Sequence, residues 1–244
     1  MRHKKQLGQC FLVNEAILAK IAEECLKTEL PIVEIGCGIG NLTKPLAITG
    51  RNVYGIEIDR DCAPSLEALG LANFTFEISN ALKHTYNPET CYVGNLPYNV
   101  GTAILIKAVK SKVKRMVFLL QREVVERICA KVDTSEYGSL SVLVQAYYNV
   151  ESKLLVKPQN FRPQPKVDSK LVVCNLKNDA DVDFDSLSAL LRASFSAPRK
   201  TLKNNLKSYL PQHAEHLLLN NGSLRPGNCS REFYLQLLEE VKGK

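Results

Sequence analysis

Ile32-Val33-Glu34-Ile35-Gly36-Cys37-Gly38-Ile39-Gly40 decides how this chain folds. The first four residues, introduced by Pro31, form a short and mostly β-branched apolar run. That is the pattern of a strand buried on both faces of a parallel sheet. The glycines that follow end the strand in a turn where backbone can come close to a bound molecule. A helix predicted over about 41–48 completes a strand–turn–helix unit. The same order recurs downstream, with strands at about 52–58, 74–78, 91–93 and 115–120 and helices at about 60–69, 102–109 and 122–131. The alternation predicts an α/β fold, a Rossmann-like, mostly parallel sheet with helices on both faces. Upstream, Asn14 reads as the N-cap of a helix carrying Ile17, Leu18, Ile21, Ala22, Cys25 and Leu26 at helical spacing.

Two strand-like stretches at about 150–156 and 170–176, joined by a proline-rich loop, suggest an antiparallel addition at the sheet edge. The acidic stretch over 178–183 reads as a linker. Beyond it the pattern is helical: Phe184, Leu187, Leu190, Leu191 and Phe195 share a face, a basic helix is expected over about 200–209, and another over about 230–241. The expected domains are therefore 1–178 for a ligand-binding catalytic domain and 179–244 for a small α-helical domain.

The glycine turn has the spacing G-x-G-x-G preceded by an acid, and a pyrophosphate-binding turn needs G-x-G-x-x-G. This favours a nucleoside with an amino-acid tail over a dinucleotide. Glu57 ends the second strand 21 residues after Gly36. A carboxylate about 20 residues beyond such a turn grips ribose hydroxyls; alone it would be a surface or capping acid. Asn95-Leu96-Pro97-Tyr98 follows the fourth strand. It is either a plain proline turn or a loop suited to an exocyclic amine: the Asn95 amide oxygen and a backbone carbonyl of Leu96 or Pro97 to accept the hydrogens, the Tyr98 ring to stack the base. Phe161, in the stiff loop before the last strand, either stacks a flipped base from its other side or packs the hairpin.

Hydrophobic residues make up 45% of the 244 and charged residues 23%, which excludes extensive disorder. No apolar run approaches the ~20 residues that span a bilayer. The basic start is followed by Gln6, Gly8, Gln9 and Asn14 instead of an apolar signal core, so the expected compartment is the cytoplasm. The eight cysteines contain no C-x-x-C pair, and they are expected to be reduced thiols with no metal site. The net charge of +7 gathers at Arg2, Lys4 and Lys5, at Lys107, Lys110, Lys112, Lys114 and Arg115, and at Arg192, Arg199, Lys200, Lys203 and Lys207. Such clusters suit nucleic acid or are simply solvated faces.

Together these motifs resemble the small-subunit ribosomal RNA adenine dimethyltransferases, within the group that includes the erythromycin-resistance rRNA methyltransferases. The resemblance is carried by Gln6-Leu7-Gly8-Gln9-Cys10-Phe11-Leu12, the glycine turn, Gly55-Ile56-Glu57-Ile58-Asp59, Gly94-Asn95-Leu96-Pro97-Tyr98-Asn99 and Gln121-Arg122-Glu123-Val124. Phe161 through Ser169 and Arg199-Lys200-Thr201-Leu202-Lys203-Asn204-Asn205-Leu206 extend it over nearly the whole chain, and the latter segment with Pro165-Lys166-Val167-Asp168-Ser169 favours the ribosome-maturation branch. It implies a class I methyltransferase sheet, S-adenosyl-L-methionine as donor, and N6,N6-dimethylation of two adjacent adenosines near the 3′ end of small-subunit (16S) rRNA. The implied partner is that rRNA in an immature subunit, met by a monomer with no membrane, and the helical domain would bind rRNA. By position, Cys10 and Leu12 flank the donor, Gly36 and Gly38 line it, Glu57 holds its ribose and Asn95 stands between it and the target amine. Two residues depart from the family: Cys10 replaces the usual Asn or His, and Asn80 replaces the usual Asp at the adenine amine. The competing expectations are a resistance-type enzyme acting on large-subunit rRNA and an rRNA-binding assembly factor without catalysis. A nicotinamide dehydrogenase is disfavoured by the glycine spacing.

Overall fold

A computed structural model describes residues 9–210, 218 and 223–241. The basic cluster Arg2, Lys4 and Lys5, and the Gln6-Leu7-Gly8 part of the first motif, lie outside the described residues. A two-residue strand, β1 (Phe11–Leu12), leads into α1 (Glu15–Leu26). Asn14 caps α1 by accepting the Ile17 N–H at 3.2 Å, and Leu18, Ile21, Ala22 and Cys25 are its buried stripe. Then follow β2 (Ile32–Ile35), α2 (Thr43–Ile48), β3 (Val53–Glu57), α3 (Ala63–Glu67), β4 (Phe74–Ile78), β5 (Cys91–Asn95), α4 (Gly101–Lys110), β6 (Arg115–Gln121) and α5 (Arg122–Cys129). The predicted α/β alternation is the one observed. Pro64 is no obstacle to α3 because it occupies the first turn, where its missing N–H costs nothing.

The remaining elements are α6 (Ser139–Tyr147), β7 (Tyr148–Val156), β8 (Phe161–Arg162), β9 (Ser169–Leu176), α7 (Phe184–Ser194), α8 (Leu202–Leu206) and α9 (Arg231–Val241). The large sheet runs β4-β3-β2-β5-β6-β9-β7. Its first five strands are parallel, and β9 is antiparallel to β6, which is the predicted edge addition. From β2 the chain winds one way to β3 and β4, then starts again on the other side at β5. The order therefore reverses between β2 and β5, and in such sheets ligands bind at that reversal, outside the carboxyl ends of the strands. Both loops singled out in the sequence, after β2 and after β5, lie there.

The described residues form two compact units. One runs to Val125 and resumes over Glu151–Leu176; the other holds Glu126–Val150 and what is described from Lys177 onward. The second unit takes 126–150 as well as the stretch from 177, and within it α6 packs on α7 and α9. No helix was expected at α6. Its Val, Leu and Tyr content suits a strand, and it runs straight into one. The basic helix is also shorter than expected. Thr201 caps it by accepting the Asn204 N–H, so Arg199 and Lys200 precede the helix, and it ends at Leu206, with Lys207 as its C-cap. Among the described residues, no helix is long and apolar enough to cross a membrane.

The cluster from Lys107 to Arg115 is not one open patch. Arg115 is buried and donates to Asn175 and to the Glu24 carbonyl, Lys114 pairs with Glu89, and Lys107 donates to the Leu82 carbonyl and sits over the Tyr86 ring.

Candidate functional site

At the reversal point the loop after β2 holds Gly36 and Gly38 at φ +75° and +55°. Gly38 is fixed twice over: besides its left-handed backbone, a Cβ there would lie 2.5 Å from the Phe11 ring. Its N–H donates to Glu57 Oε2 at 2.7 Å, and the Asp59 N–H donates to Glu57 Oε1 at 2.8 Å. Glu57, 4% exposed at the end of β3, is held by these two backbone donors, and the Ile58 N–H also acts on its carboxyl. Burial pushes its carboxyl above the ordinary carboxylate range, opposed by these same hydrogen bonds. Asp59 in turn accepts from Gln9 Nε2 at 3.1 Å, which ties the N-terminal segment across the end of β3.

At the end of β5, Asn95 Nδ2 donates to the Cys10 carbonyl at 2.7 Å. That leaves Oδ1 as the side-chain acceptor on the cavity this residue lines. The Pro97 carbonyl already accepts from the N–H groups of Val100 and Gly101. Of the two carbonyls proposed for the amine, Leu96's is therefore the better placed. The Leu96 side chain is buried in the core and contributes nothing polar. The Tyr98 hydroxyl lies 2.6 Å from Ser169 Oγ, and burial raises the phenol above its ordinary range. Asn80 Oδ1 accepts the Leu82 N–H at 2.9 Å, a side-chain turn that shapes the wall of residues 79–82.

Gly36, Gly38, Glu57, Asn80 and the loop from Asn95 to Tyr98 line one cavity together with Cys10. The ribosomal RNA adenine dimethylase family model matches residues 1–242. The chain belongs to that family. A ribosomal RNA small subunit methyltransferase A from Thermotoga maritima is 40% identical over 214 residues, covering 86% of this chain and 76% of that protein. The enzyme of the same name from Francisella tularensis is 37% identical over 224 residues, covering 86% and 85%. Among solved structures, a dimethyladenosine transferase from Plasmodium falciparum superposes with TM-score 0.83 at 27% identity, covering 96% of this chain and 98% of that one. The 23S rRNA methyltransferase ErmE gives TM-score 0.71 at 25% identity, covering 95% and 99%. The class I methyltransferase sheet is thus shared with both structures.

Two residues expected at the site do not line this cavity. Leu12 is in the apolar core beneath it and its carbonyl accepts from Asn41 Nδ2, while Phe11 and Gln9 line the cavity instead. Phe161 is 0% exposed, pairs with Leu12 across β1 and β8, and packs in the same core. Of its two readings, packing is the one observed, and the aromatic rings that line the cavity are those of Phe11 and Tyr98. Ile58 and Leu82 were missed: both line the cavity with large apolar side chains, and Ile58 is 49% exposed. An apolar residue one position past a strand-end acid was the signal available in the sequence. Cys10 contributes its carbonyl, and burial raises its thiol, so it stands neutral beside Asn95.

Glu34, beneath the glycine turn, is 1% exposed; it accepts from Thr43 Oγ1 at 2.6 Å, and burial pushes its carboxyl up to about 7. A carboxyl raised on folding favours the folded state while it stays protonated. The advantage is full below the unfolded value near 4.5 and is lost as pH rises through about 7. Glu34→Gln cannot ionise, so its melting temperature should fall less than wild type's between pH 5 and 7. Parallel melting curves across that window would contradict the buried carboxyl.

Proposed function

We propose that this chain transfers methyl groups from S-adenosyl-L-methionine to N6 of two adjacent adenosines near the 3′ end of small-subunit rRNA, dimethylating each. It acts in the cytoplasm as a monomer on an immature small subunit. The carrying observation is Asn95, tied by Nδ2 to the Cys10 carbonyl with Oδ1 left at the cavity. The residues present fit the donor. Glu57 brings a carboxylate for ribose hydroxyls, Gly36 brings backbone without a side chain to the cavity, and Ile58 and Leu82 offer apolar surface for an adenine. Bound there, S-adenosyl-L-methionine supplies an electrophilic methyl group on a sulfonium. Asn95 Oδ1 and the Leu96 carbonyl accept the target amine's hydrogens, drawing its lone pair out of the ring. Tyr98 stacks the base and holds it in line. Identity near 40% to relatives named small-subunit methyltransferases supports the small-subunit substrate. Incubation with immature small subunits, followed by mass spectrometry of the rRNA, tests the reading. Methylation mapped to large-subunit rRNA, or none at all, would defeat it.

Asn80 is assigned to the adenine amine through its second lone pair. A charged acceptor is worth ~1.5–3 kcal/mol against ~0.5–1.5 kcal/mol for a neutral one. Titration calorimetry should show Asn80→Asp binding the donor up to about tenfold more tightly. Asn80→Ala should bind more weakly, losing the Leu82 turn as well. Three equal affinities would remove Asn80 from the site.

The second unit is assigned to rRNA phosphates. Lys200 and Lys203 are exposed on either side of the Thr201 cap. Changing both to Glu should weaken subunit binding and reduce the log–log salt slope by roughly one unit per lost contact. An unchanged slope would mark them as solvated side chains. Donor affinity should not move.

A further inference from the structure

We propose that Ser169 is a positioning residue for the transfer, its buried hydroxyl fixing the ring of Tyr98 against which the target adenine is held. This rests on the reading of the site given above. Ser169 opens β9 opposite Gln121 of β6 and is fully buried. Its Oγ is 2.6 Å from the Tyr98 hydroxyl, and either can donate. The serine is delivered by the run from Pro165, whose last loop residue is held by Arg122 of α5 and by Lys157 just after β7. The Asp168 carbonyl accepts the Arg122 N–H at 2.9 Å, and its carboxylate takes Lys157 Nζ at 2.8 Å with Arg122 Nη1 at 3.9 Å. The hydroxyl therefore sits on a strand held at both sides, not on a loose loop.

Tyr98 needs such a partner. It follows Pro97 in the loop between β5 and α4, is half-buried, and lines the cavity. A tyrosine ring turns about two side-chain bonds, and a hydrogen bond at its far end fixes the plane that a stacked base must match. In-line transfer tolerates little misplacement of the acceptor nitrogen. The phenol remains protonated, because burial raises it, so the hydroxyl serves as a tether and not as a base.

The test compares Ser169→Ala, Tyr98→Phe, the double variant and Ser169→Thr on immature small subunits. Each of the first two removes the same bond from one side. Each should lower kcat by roughly tenfold with the KM for the donor unchanged. The double variant should be no slower than either single one, because the bond can be lost only once. Ser169→Thr, which keeps a hydroxyl, should retain more activity than Ser169→Ala. A Ser169→Ala kcat within about twofold of wild type, or losses that multiply in the double variant, would overturn the proposal. So would a lowered melting temperature with kcat unchanged, which would mark Ser169 as packing alone. Wild-type turnover in the same series separates the two readings. An inactive wild type defeats the proposed reaction, and an active one with indifferent variants defeats only the role of Ser169.

Discussion

Asn95→Ala is expected to slow methyl transfer by roughly a hundredfold to a thousandfold while donor and rRNA binding largely persist. That is the usual cost of losing one preorganised contact that strengthens in the transition state, ~3–4 kcal/mol. The adenine amine is a poor nucleophile because its lone pair is delocalised into the ring. An acceptor on its hydrogens matters more as the nitrogen becomes tetrahedral than in the ground state, so the loss falls on kcat. The substitution also removes the donor to the Cys10 carbonyl, which holds the N-terminal segment over the site. Donor affinity must therefore be measured beside the rate. A rate loss matched by an equal loss of donor affinity would assign Asn95 to the segment and not to the amine. Near-normal turnover would remove the mechanism.

The parts of this molecule readable in the sequence are those set by local pattern. Strands β2 and β4 occur on their predicted residues, 32–35 and 74–78, because each is a short run bounded by turn residues. Glu57, Asn95 and the glycine turn are legible because each stands at the carboxyl end of a strand, and the sheet order brings those ends together. Leu12 and Phe161 were not legible for the opposite reason. They are register partners across two two-residue strands, β1 and β8, far apart in the chain. In so short a strand, one residue of offset decides whether a side chain meets the cavity or the core, and here Phe11 takes the cavity and Leu12 the core. Helix α6 was hidden by composition. Gly138 precedes it with no side chain to cap with, the Ser141 hydroxyl instead accepting the Gly138 N–H at 2.9 Å, and strand-forming residues fill it. Its packing on α7 and α9, distant in sequence, settles it as helix.

Glu57→Gln should weaken donor binding by about tenfold to a hundredfold, the span of ~1.5–3 kcal/mol for hydrogen bonds to a charged group. The carboxylate has four acceptor sites; the N–H groups of Gly38 and Asp59 take two, and the Ile58 N–H also acts on the group. What remains is offered to the ribose hydroxyls. An amide has one oxygen and one NH2, so whichever way it turns, one of the two backbone donors faces a donor and at most one hydroxyl can still donate. Stability should fall as well, and melting temperature must be recorded so that lost binding is not lost folding. The pH dependence gives an independent check. Burial raises the Glu57 carboxyl, so in wild type the ribose contact should weaken as pH falls through a value above the ordinary carboxylate range near 4.5. The glutamine variant does not titrate there, and its weaker binding should be flat across the same range. Equal donor affinity in the two folded proteins, or a pH dependence that survives the substitution, would take Glu57 out of the ribose contact.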